Sequence, residues 1–170
     1  MSGNFKAKIT LDTIASYSPW PARLLGLETF SIKHKSPSEV TREFGDEKWG
    51  ALLEIFLGTP NFTLADVEAV EKDLSAIIPC FDSQLGFYLT ESKEADITVM
   101  KYMVETLSRH SVGASCLVEL GAGYGAKIFN LSDTLSLDGL DLIALEYTES
   151  GCDLINLIAK NTNKNIDVGH

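Results

Sequence analysis

Apolar residues recur at spacings of three and four over much of the first 110 residues, a pattern that predicts amphipathic helices. Ser38 is placed to cap the first helix, and Gly45 with Asp46 is expected to break and restart it. The restarted helix has one apolar face, formed by Trp49, Leu52, Leu53 and Phe56. A helical N-terminal region is therefore expected over residues 1–110.

Two more helices are predicted in this region. One begins at Thr63, in a capping-box arrangement with Asp66, and ends at Pro79. Its apolar face is expected to contain Val67, Val70, Leu74 and Ile77. The other spans residues 92–109, with an inward face of Ile97, Met100, Met103, Val104 and Leu107. Residues 81–90 (FDSQLGFYLT) are interpreted as a loop with a short extended piece.

Two prolines flank Trp20 in the segment YSPWPARLLGL. Proline fixes its own backbone and restricts the residue before it, which favours an extended or turning segment. This segment is expected to lay the Trp20 ring onto the body of the protein.

After residue 110, short apolar runs alternate with helical patterns. The run CLVEL, residues 116–120, is typical of a buried parallel strand, and a helix to about residue 135 follows it. A second apolar strand (LDGLDLIALE), a helix over about residues 150–161 and the beginning of a third strand (NIDV) come next. The order β-α-β-α-β predicts an α/β fold with a partial parallel sheet in residues 111–170.

Composition and charge indicate a soluble globular protein. Apolar residues make up 45% of the chain and charged residues 22%, and no stretch approaches the roughly 20 apolar residues that cross a bilayer. The first residues have no apolar core behind their lysines, so a signal peptide is not expected and a cytoplasmic location is. The net charge of −10 repels phosphate backbones, which argues against nucleic acid as a partner.

The cysteines and histidines form no recognisable site. Cys80, Cys116 and Cys152 are far apart in sequence and have no second ligand at metal-binding spacing, so no metal is expected. The three histidines, His34, His110 and His170, are expected to be structural or solvated, and no catalytic residue is assigned.

The chemistry in this sequence is concentrated in LVELGAGYGA, residues 117–126. A strand that ends in Gly-x-Gly lets a ligand approach the main chain, and the following helix points its free N–H groups at the same place. Glu146 ends the next predicted strand, where a carboxylate can accept hydrogen bonds from both hydroxyls of a ribose. A nucleoside-containing cofactor is therefore expected.

Two cofactor classes fit this pattern. The six residues from Gly121 to Ala126 satisfy the dinucleotide fingerprint G-x-G-x-x-G/A, and Glu146 lies twenty residues further on. However, Glu119 comes two residues before the first glycine. An NAD fingerprint has no need of an acid there, and burying one without a partner is costly.

Residues 118–125 (VELGAGYG) resemble the first motif of class I S-adenosylmethionine-dependent methyltransferases, an apolar strand with an acid followed by G-x-G-x-G. In that family the acid and the glycine loop hold the amino-acid end of S-adenosylmethionine. The acid that closes the second strand holds the ribose, and the next side chain often packs on the adenine. The resemblance implies these binding roles for Glu119, Gly121, Ala122, Gly123, Gly125, Glu146 and Tyr147.

The resemblance also implies a larger fold. The family has a seven-stranded Rossmann-like sheet, whereas two strands and the beginning of a third are visible in this sequence. We therefore expect a fragment, such as a truncated reading frame or half of a split enzyme. The strand 116–120 would then have an unpaired apolar edge, covered by the N-terminal helices, by a second copy or by another chain.

The expected function is that of an S-adenosylmethionine-dependent methyltransferase, or a truncated form of one. The acceptor is expected to be a small molecule, such as a sugar or other hydroxylated metabolite. Three alternatives remain: a fragment of an NAD-type oxidoreductase, a catalytically inactive cofactor-binding or assembly protein, and a plain structural fragment.

Overall fold

The computed structural model describes residues 7–19, 22–23, 26–28, 34–135 and 139–170. The chain divides into two compact units. The first is Met1–His34 with Asp73–Val99, and the second is Lys35–Lys72 with Met100–His170. These compact units do not coincide with the predicted domains, which meet after residue 110. The predicted domain boundary stays a prediction. The predicted packing of Trp20 lies outside the described residues.

Each unit contains both strands and helices. The first unit contains β1 (Ala7–Lys8), α1 (Leu11–Ile14), β2 (Ile77–Asp82) and β3 (Gly86–Glu91). Helix α5 (Ser92–His110) begins in the first unit and ends in the second. The second unit also contains α2 (Pro37–Val40), a π-helix (Thr41–Gly50), α3 (Ala51–Leu57), α4 (Leu64–Glu71), β4 (Cys116–Leu120), α6 (Ala126–Thr134), β5 (Asp141–Leu145), α7 (Glu149–Thr162) and β6 (Asp167–Gly169).

The first unit is built on an antiparallel sheet in the order β1-β3-β2. The prediction that the helix from Thr63 continues to Pro79 is therefore wrong, as is the loop at residues 81–90. The helix ends at Glu71, and the Asp73 carboxylate accepts the Ser75 N–H and hydroxyl in a turn. Pro79 lies on β2 opposite Leu89 of β3. Because β2 is at one end of the strand order, a missing N–H is tolerated there.

The first helical segment of the second unit differs from its prediction in its N-terminal cap and in the expected break at Gly45. Its cap is Ser36, not Ser38: Ser36 and Glu39 form a reciprocal capping box, with Pro37 in the first turn. Gly45 does not break the helix, because the chain stays helical from Pro37 to Leu57 and forms a π-helix around Gly45. π-Helices are rare and often lie at functional sites.

Helix α5 begins at the predicted residue but does not have the predicted inward face. None of its residues is buried, and Ile97 is 54% exposed, so its assignment to the core is wrong. The other four apolar residues of the predicted face are half-buried. In the described ranges, no helix is both long and apolar enough to cross a membrane.

The second unit is built on a parallel sheet in the order β4-β5-β6. One face of this sheet lies against the core of the unit, where Ala144 of β5 is fully buried with residues of α6 and α7. The core also contains residues from the π-helix, α3 and α4. The prediction of an α/β protein with a parallel sheet is confirmed, and the arrangement is compatible with a partial Rossmann-like fold.

The opposite face of the parallel sheet carries apolar side chains to solvent. Val118 and Leu120 of β4 are 42% and 77% exposed, and Leu145, which pairs with Leu120, is 37% exposed. Among the described strands, β4 pairs only with β5. The predicted cover over this edge by a second copy or another chain stays a prediction.

Candidate functional site

The glycine loop between β4 and α6 adopts a conformation that requires its glycines. Gly121, Gly123 and Gly125 have φ values of 64°, 61° and 79°, all left-handed. A Cβ on Gly123 would lie 2.8 Å from Trp49 Cζ2, and one on Gly125 would lie 3.0 Å from Phe129 Cε2. Only Gly121 of the three faces open space, and the rest of the loop is buried. A ligand that approaches the loop therefore meets Gly121 first.

Glu119 on β4 holds the beginning of helix α6. Its Oε2 accepts the Ile128 N–H at 3.1 Å, and its Oε1 lies 3.8 Å from Lys127 Nζ. Gly125, at the N-cap of α6, has no side chain to cap these N–H groups. Burial raises the pKa of the Glu119 carboxyl, and the Ile128 N–H and Lys127 partly oppose that rise. This capping bond accounts for an acid at position 119 in any cofactor class.

Glu146 follows β5 directly and is only 7% exposed. Its Oε2 accepts the Gly123 N–H at 2.8 Å. Its Oε1 accepts the Thr148 hydroxyl at 2.8 Å and the Thr148 N–H at 3.1 Å. The carboxylate therefore joins the glycine loop to the residue that caps helix α7.

The first turn of α7 packs tightly against this carboxylate. Thr148 is the N-cap of α7, and its hydroxyl oxygen accepts the Gly151 N–H at 3.3 Å. A Cβ on Gly151 would lie 2.6 Å from Glu146 Cγ and 2.8 Å from Thr148 Oγ1. Position 151 must be glycine for the turn to approach this closely.

Two aromatic side chains stand at the carboxyl ends of β5 and β6. Tyr147 is 55% exposed, and its ring centroid lies 6.5 Å from that of His170 at an interplanar angle of 35°. Because parallel strands end at the same edge of a sheet, the residues that follow them meet there.

Both rings line a cavity of about 570 Å³ that lies beside the first turn of α7. This size is within the range of small-molecule sites. Its described lining comes from the π-helix, α3, the β5–α7 loop, α7 and the residue after β6: Thr41, Gly45, Asp46, Leu53, Tyr147, Thr148, Glu149, Ser150, Asp153 and His170. Three of these residues are acidic, and none is lysine or arginine. The field in the cavity therefore favours a cation.

Cys152 lies beneath the site. Its Sγ is 3.4 Å from the Glu146 carbonyl oxygen and 3.6 Å from that of Gly169. Burial, together with the charges of Glu146 and Asp153, raises the pKa of this thiol. A thiol with a raised pKa is a poor nucleophile, which fits a structural role. Within the described part of the chain, no three His, Cys, Asp or Glu side chains are grouped to hold a metal ion.

The structure brings together only some of the predicted site residues. Glu146 contacts Gly123, and Tyr147 lines the cavity. Glu119, Glu146 and the residues of the glycine loop are not among the lining residues of the cavity. The sequence analysis did not predict that Thr148 and Trp49 contact the candidate site. Thr148 could have been found, since a threonine before a predicted helix is a cap signal. No sequence signal connects Trp49 to the glycine loop.

Comparison with family models, with curated protein sequences and with solved structures finds no match to the chain. The assignment to a family therefore rests on the residues of the glycine motif and stays a prediction.

The close packing at Gly151 predicts the effect of adding one methyl group. Inside a helix alanine is favoured over glycine by about 1 kcal/mol, but overpacking a tight contact costs about 1–3 kcal/mol. Because the new Cβ would meet Glu146 Cγ at 2.6 Å, we expect an overpacking cost in the upper part of this range, about 2–3 kcal/mol. After the gain of about 1 kcal/mol, Gly151→Ala should lower the free energy of unfolding by about 1–2 kcal/mol in urea titrations followed by circular dichroism. In Gly58→Ala, at a glycine with nothing within 4 Å, the change should stay below about 0.5 kcal/mol. Equal effects of the two variants would contradict this packing.

The raised pKa of Glu119 predicts a pH-dependent difference between the wild type and Glu119→Gln. Since the folded chain binds this proton more tightly than the unfolded chain, ionisation at neutral pH destabilises the wild type. Glu119→Gln should therefore be the more stable protein at pH 7. The difference should shrink as pH falls through the folded-state pKa and vanish below the unfolded-state value.

The measurement is thermal unfolding between pH 3.5 and 8, with Glu54→Gln, an exposed glutamate on α3, as the matched control. A Glu119→Gln protein less stable than the wild type at pH 7 would show that the ionised carboxylate stabilises the fold, contrary to this prediction.

Proposed function

We propose that the second unit binds S-adenosylmethionine and is the cofactor-binding part of a methyltransferase. The observation that carries this proposal is the acidic cavity lined by the rings of His170 and of Tyr147, the residue that follows Glu146 in the chain. The glycine motif of residues 118–125 supports it independently, because it resembles that of class I methyltransferases.

The ring pair suits the adenine of the cofactor. Stacked planar groups lie about 3.5 Å apart, so a purine between two rings needs about 7 Å. The Tyr147 and His170 centroids are 6.5 Å apart and their planes are inclined at 35°, so this pair would have to open and align to admit a purine. Both side chains are exposed and lie outside the core.

Glu146 is placed to hold the ribose. Its Oε2 accepts one hydrogen bond, from Gly123, and an ionised carboxylate oxygen can accept two. The bonds from Thr148 fix the direction of the other oxygen. A ribose hydroxyl that donates to Oε2 would therefore meet a carboxylate already held in place.

Charge distinguishes the two cofactor classes. S-adenosylmethionine carries a sulfonium cation, which Asp46, Glu149 and Asp153 would attract, whereas the diphosphate of NAD would be repelled. The dinucleotide fingerprint also uses its second glycine to let the backbone approach the pyrophosphate. Here Trp49 Cζ2 lies 2.8 Å from where a Cβ on Gly123 would stand. This contact argues against that approach, and equally against a role of Gly123 in holding the amino-acid end of S-adenosylmethionine, so the acidic lining alone favours the methyl donor.

Methyl transfer from S-adenosylmethionine requires mainly that the protein bind and align the reactants. The bound sulfonium supplies an activated methyl group, which passes to a nucleophilic atom of the acceptor and leaves a neutral thioether, while the acceptor loses its proton. The chain's own residues bind and align the donor, which is the main source of rate enhancement in such a transfer. The acceptor we propose is a small hydroxylated molecule. None of the described residues is assigned as its base.

A second candidate is a catalytically inactive cofactor-binding or assembly protein. It is favoured by the hydrogen bonds that both predicted cofactor-binding acids already accept within the chain. Glu119 accepts one from Ile128, and Glu146 accepts bonds from Gly123 and Thr148. Such a protein would bind the methyl donor, or nothing, and would show no turnover without a partner chain.

Calorimetric titration of the 170-residue chain with S-adenosylmethionine, S-adenosylhomocysteine and NAD tests the proposal. We expect saturable binding of the first two and none of NAD, because the cavity is acidic. Binding of NAD alone would move the protein to the dinucleotide class. No binding of any of the three would contradict the proposed function and leave the inactive assembly protein.

The adenine position is tested by Tyr147→Ala. Loss of one stacking partner typically weakens binding of a base by about 1–3 kcal/mol, or roughly 5- to 150-fold. Tyr102→Ala is the matched control, because Tyr102 is 58% exposed and does not line the cavity. We expect S-adenosylhomocysteine affinity to fall in the first variant only. Equal affinities in the two variants would remove Tyr147 from the site.

A further inference from the structure

A buried tryptophan lies against the glycine loop at the point where the loop meets Glu146. Trp49 is 7% exposed, and its Cζ2 and Cη2 lie 2.8 and 3.2 Å from where a Cβ on Gly123 would stand. Its ring centroid is 5.6 Å from that of Tyr124, the next residue of the loop. The indole therefore covers the side of Gly123 that has no side chain of its own.

Gly123 makes this contact while its N–H is bonded to Glu146. Glycine has more backbone freedom than any other residue, and Gly123 is in the left-handed region at φ 61°. Its N–H must nevertheless point at Glu146 Oε2, 2.8 Å away in a buried environment. The space that would allow Gly123 to rotate is filled by Trp49.

Trp49 contacts a lysine of the π-helix, and the π-helix is itself bonded to α7. The ammonium group of Lys48 lies 4.5 Å from the centroid of the indole ring and forms an ion pair with Glu71 at 2.9 Å. Earlier in the same π-helix, the Gly45 carbonyl oxygen accepts the Ser150 hydroxyl at 2.7 Å. The π-helix is thus attached both to the glycine loop and to the first turn of α7.

We propose that Trp49 is a positioning residue for the cofactor site: its indole fixes Gly123, so that the Gly123 N–H holds Glu146 in the orientation that receives the ribose. Its effect on the hydrogen bond follows from the chain alone, whereas its effect on affinity rests on the proposed function. The π-helix thereby couples the segment before the sheet to the cofactor site, through a residue that touches no ligand.

The first test needs no ligand. Hydrogen exchange of backbone amides, followed by NMR on the full chain, reports whether the Gly123 N–H stays bonded. We expect Trp49→Leu to speed exchange at Gly123 by at least about tenfold more than at Ala144 of β5, and Trp49→Phe to restore part of the protection. Phe62→Leu is the matched control, because it removes an aromatic ring that packs on Phe56 in the same core. It should not speed exchange at Gly123 more than at Ala144.

The second test is a double-mutant cycle on S-adenosylhomocysteine affinity. Trp49→Leu alone should weaken binding by at least about tenfold, the size of a bond to a charged group. In the Glu146→Gln background it should weaken binding by less than about twofold more, since the two residues act through one hydrogen bond. Phe62→Leu should leave affinity unchanged.

The outcomes separate this inference from the proposed function. Unchanged Gly123 exchange in Trp49→Leu, relative to Phe62→Leu, would overturn the positioning role, as would equal affinity losses with and without Glu146→Gln. If the wild type binds no S-adenosylmethionine analogue, the proposed function fails, and the exchange measurement alone decides whether Trp49 fixes Gly123.

Discussion

Burying a carboxylate at the end of a strand is costly unless hydrogen bonds satisfy its oxygens. Glu146 meets this condition with three donors from two places in the chain, the Gly123 N–H and the N–H and hydroxyl of Thr148. The donors can reach it only because Gly123 is left-handed and Gly151 has no side chain. The glycine loop and the cap of α7 therefore meet at this one buried carboxylate.

The two predicted cofactor-binding acids, Glu119 and Glu146, make different structural contacts. Glu119 bonds to the first turn of α6, and its raised pKa shows that burial outweighs the bond to Ile128 and the charge of Lys127. Glu146 instead joins two loops at the edge where the strands end, beside the acidic cavity. A polar network of this kind specifies one arrangement when every member is satisfied.

The sequence predicts an α/β protein with a parallel sheet, because apolar runs and glycines mark strands such as 116–120 locally. It fails at β2 and β3, where Ile77 continues a helical spacing although the Asp73 turn has already ended the helix. Ile97 fits a helical stripe and yet is exposed, because periodicity does not say what lies opposite. Among the candidate site residues, Glu146 and Tyr147 could be predicted because they lie at the end of a predicted strand. The contact between Trp49 and Gly123 depends on tertiary packing over a long sequence separation and has no local signal.

The most direct test of a cofactor site at the edge of the parallel sheet is an NMR titration of the ¹⁵N-labelled chain with S-adenosylhomocysteine. A site there predicts saturable shifts at the amides of Gly121, Tyr147, Thr148 and His170, while the β2–β3 hairpin stays unchanged. Shifts confined to the hairpin, or none at concentrations that saturate known binders of this ligand, would contradict it.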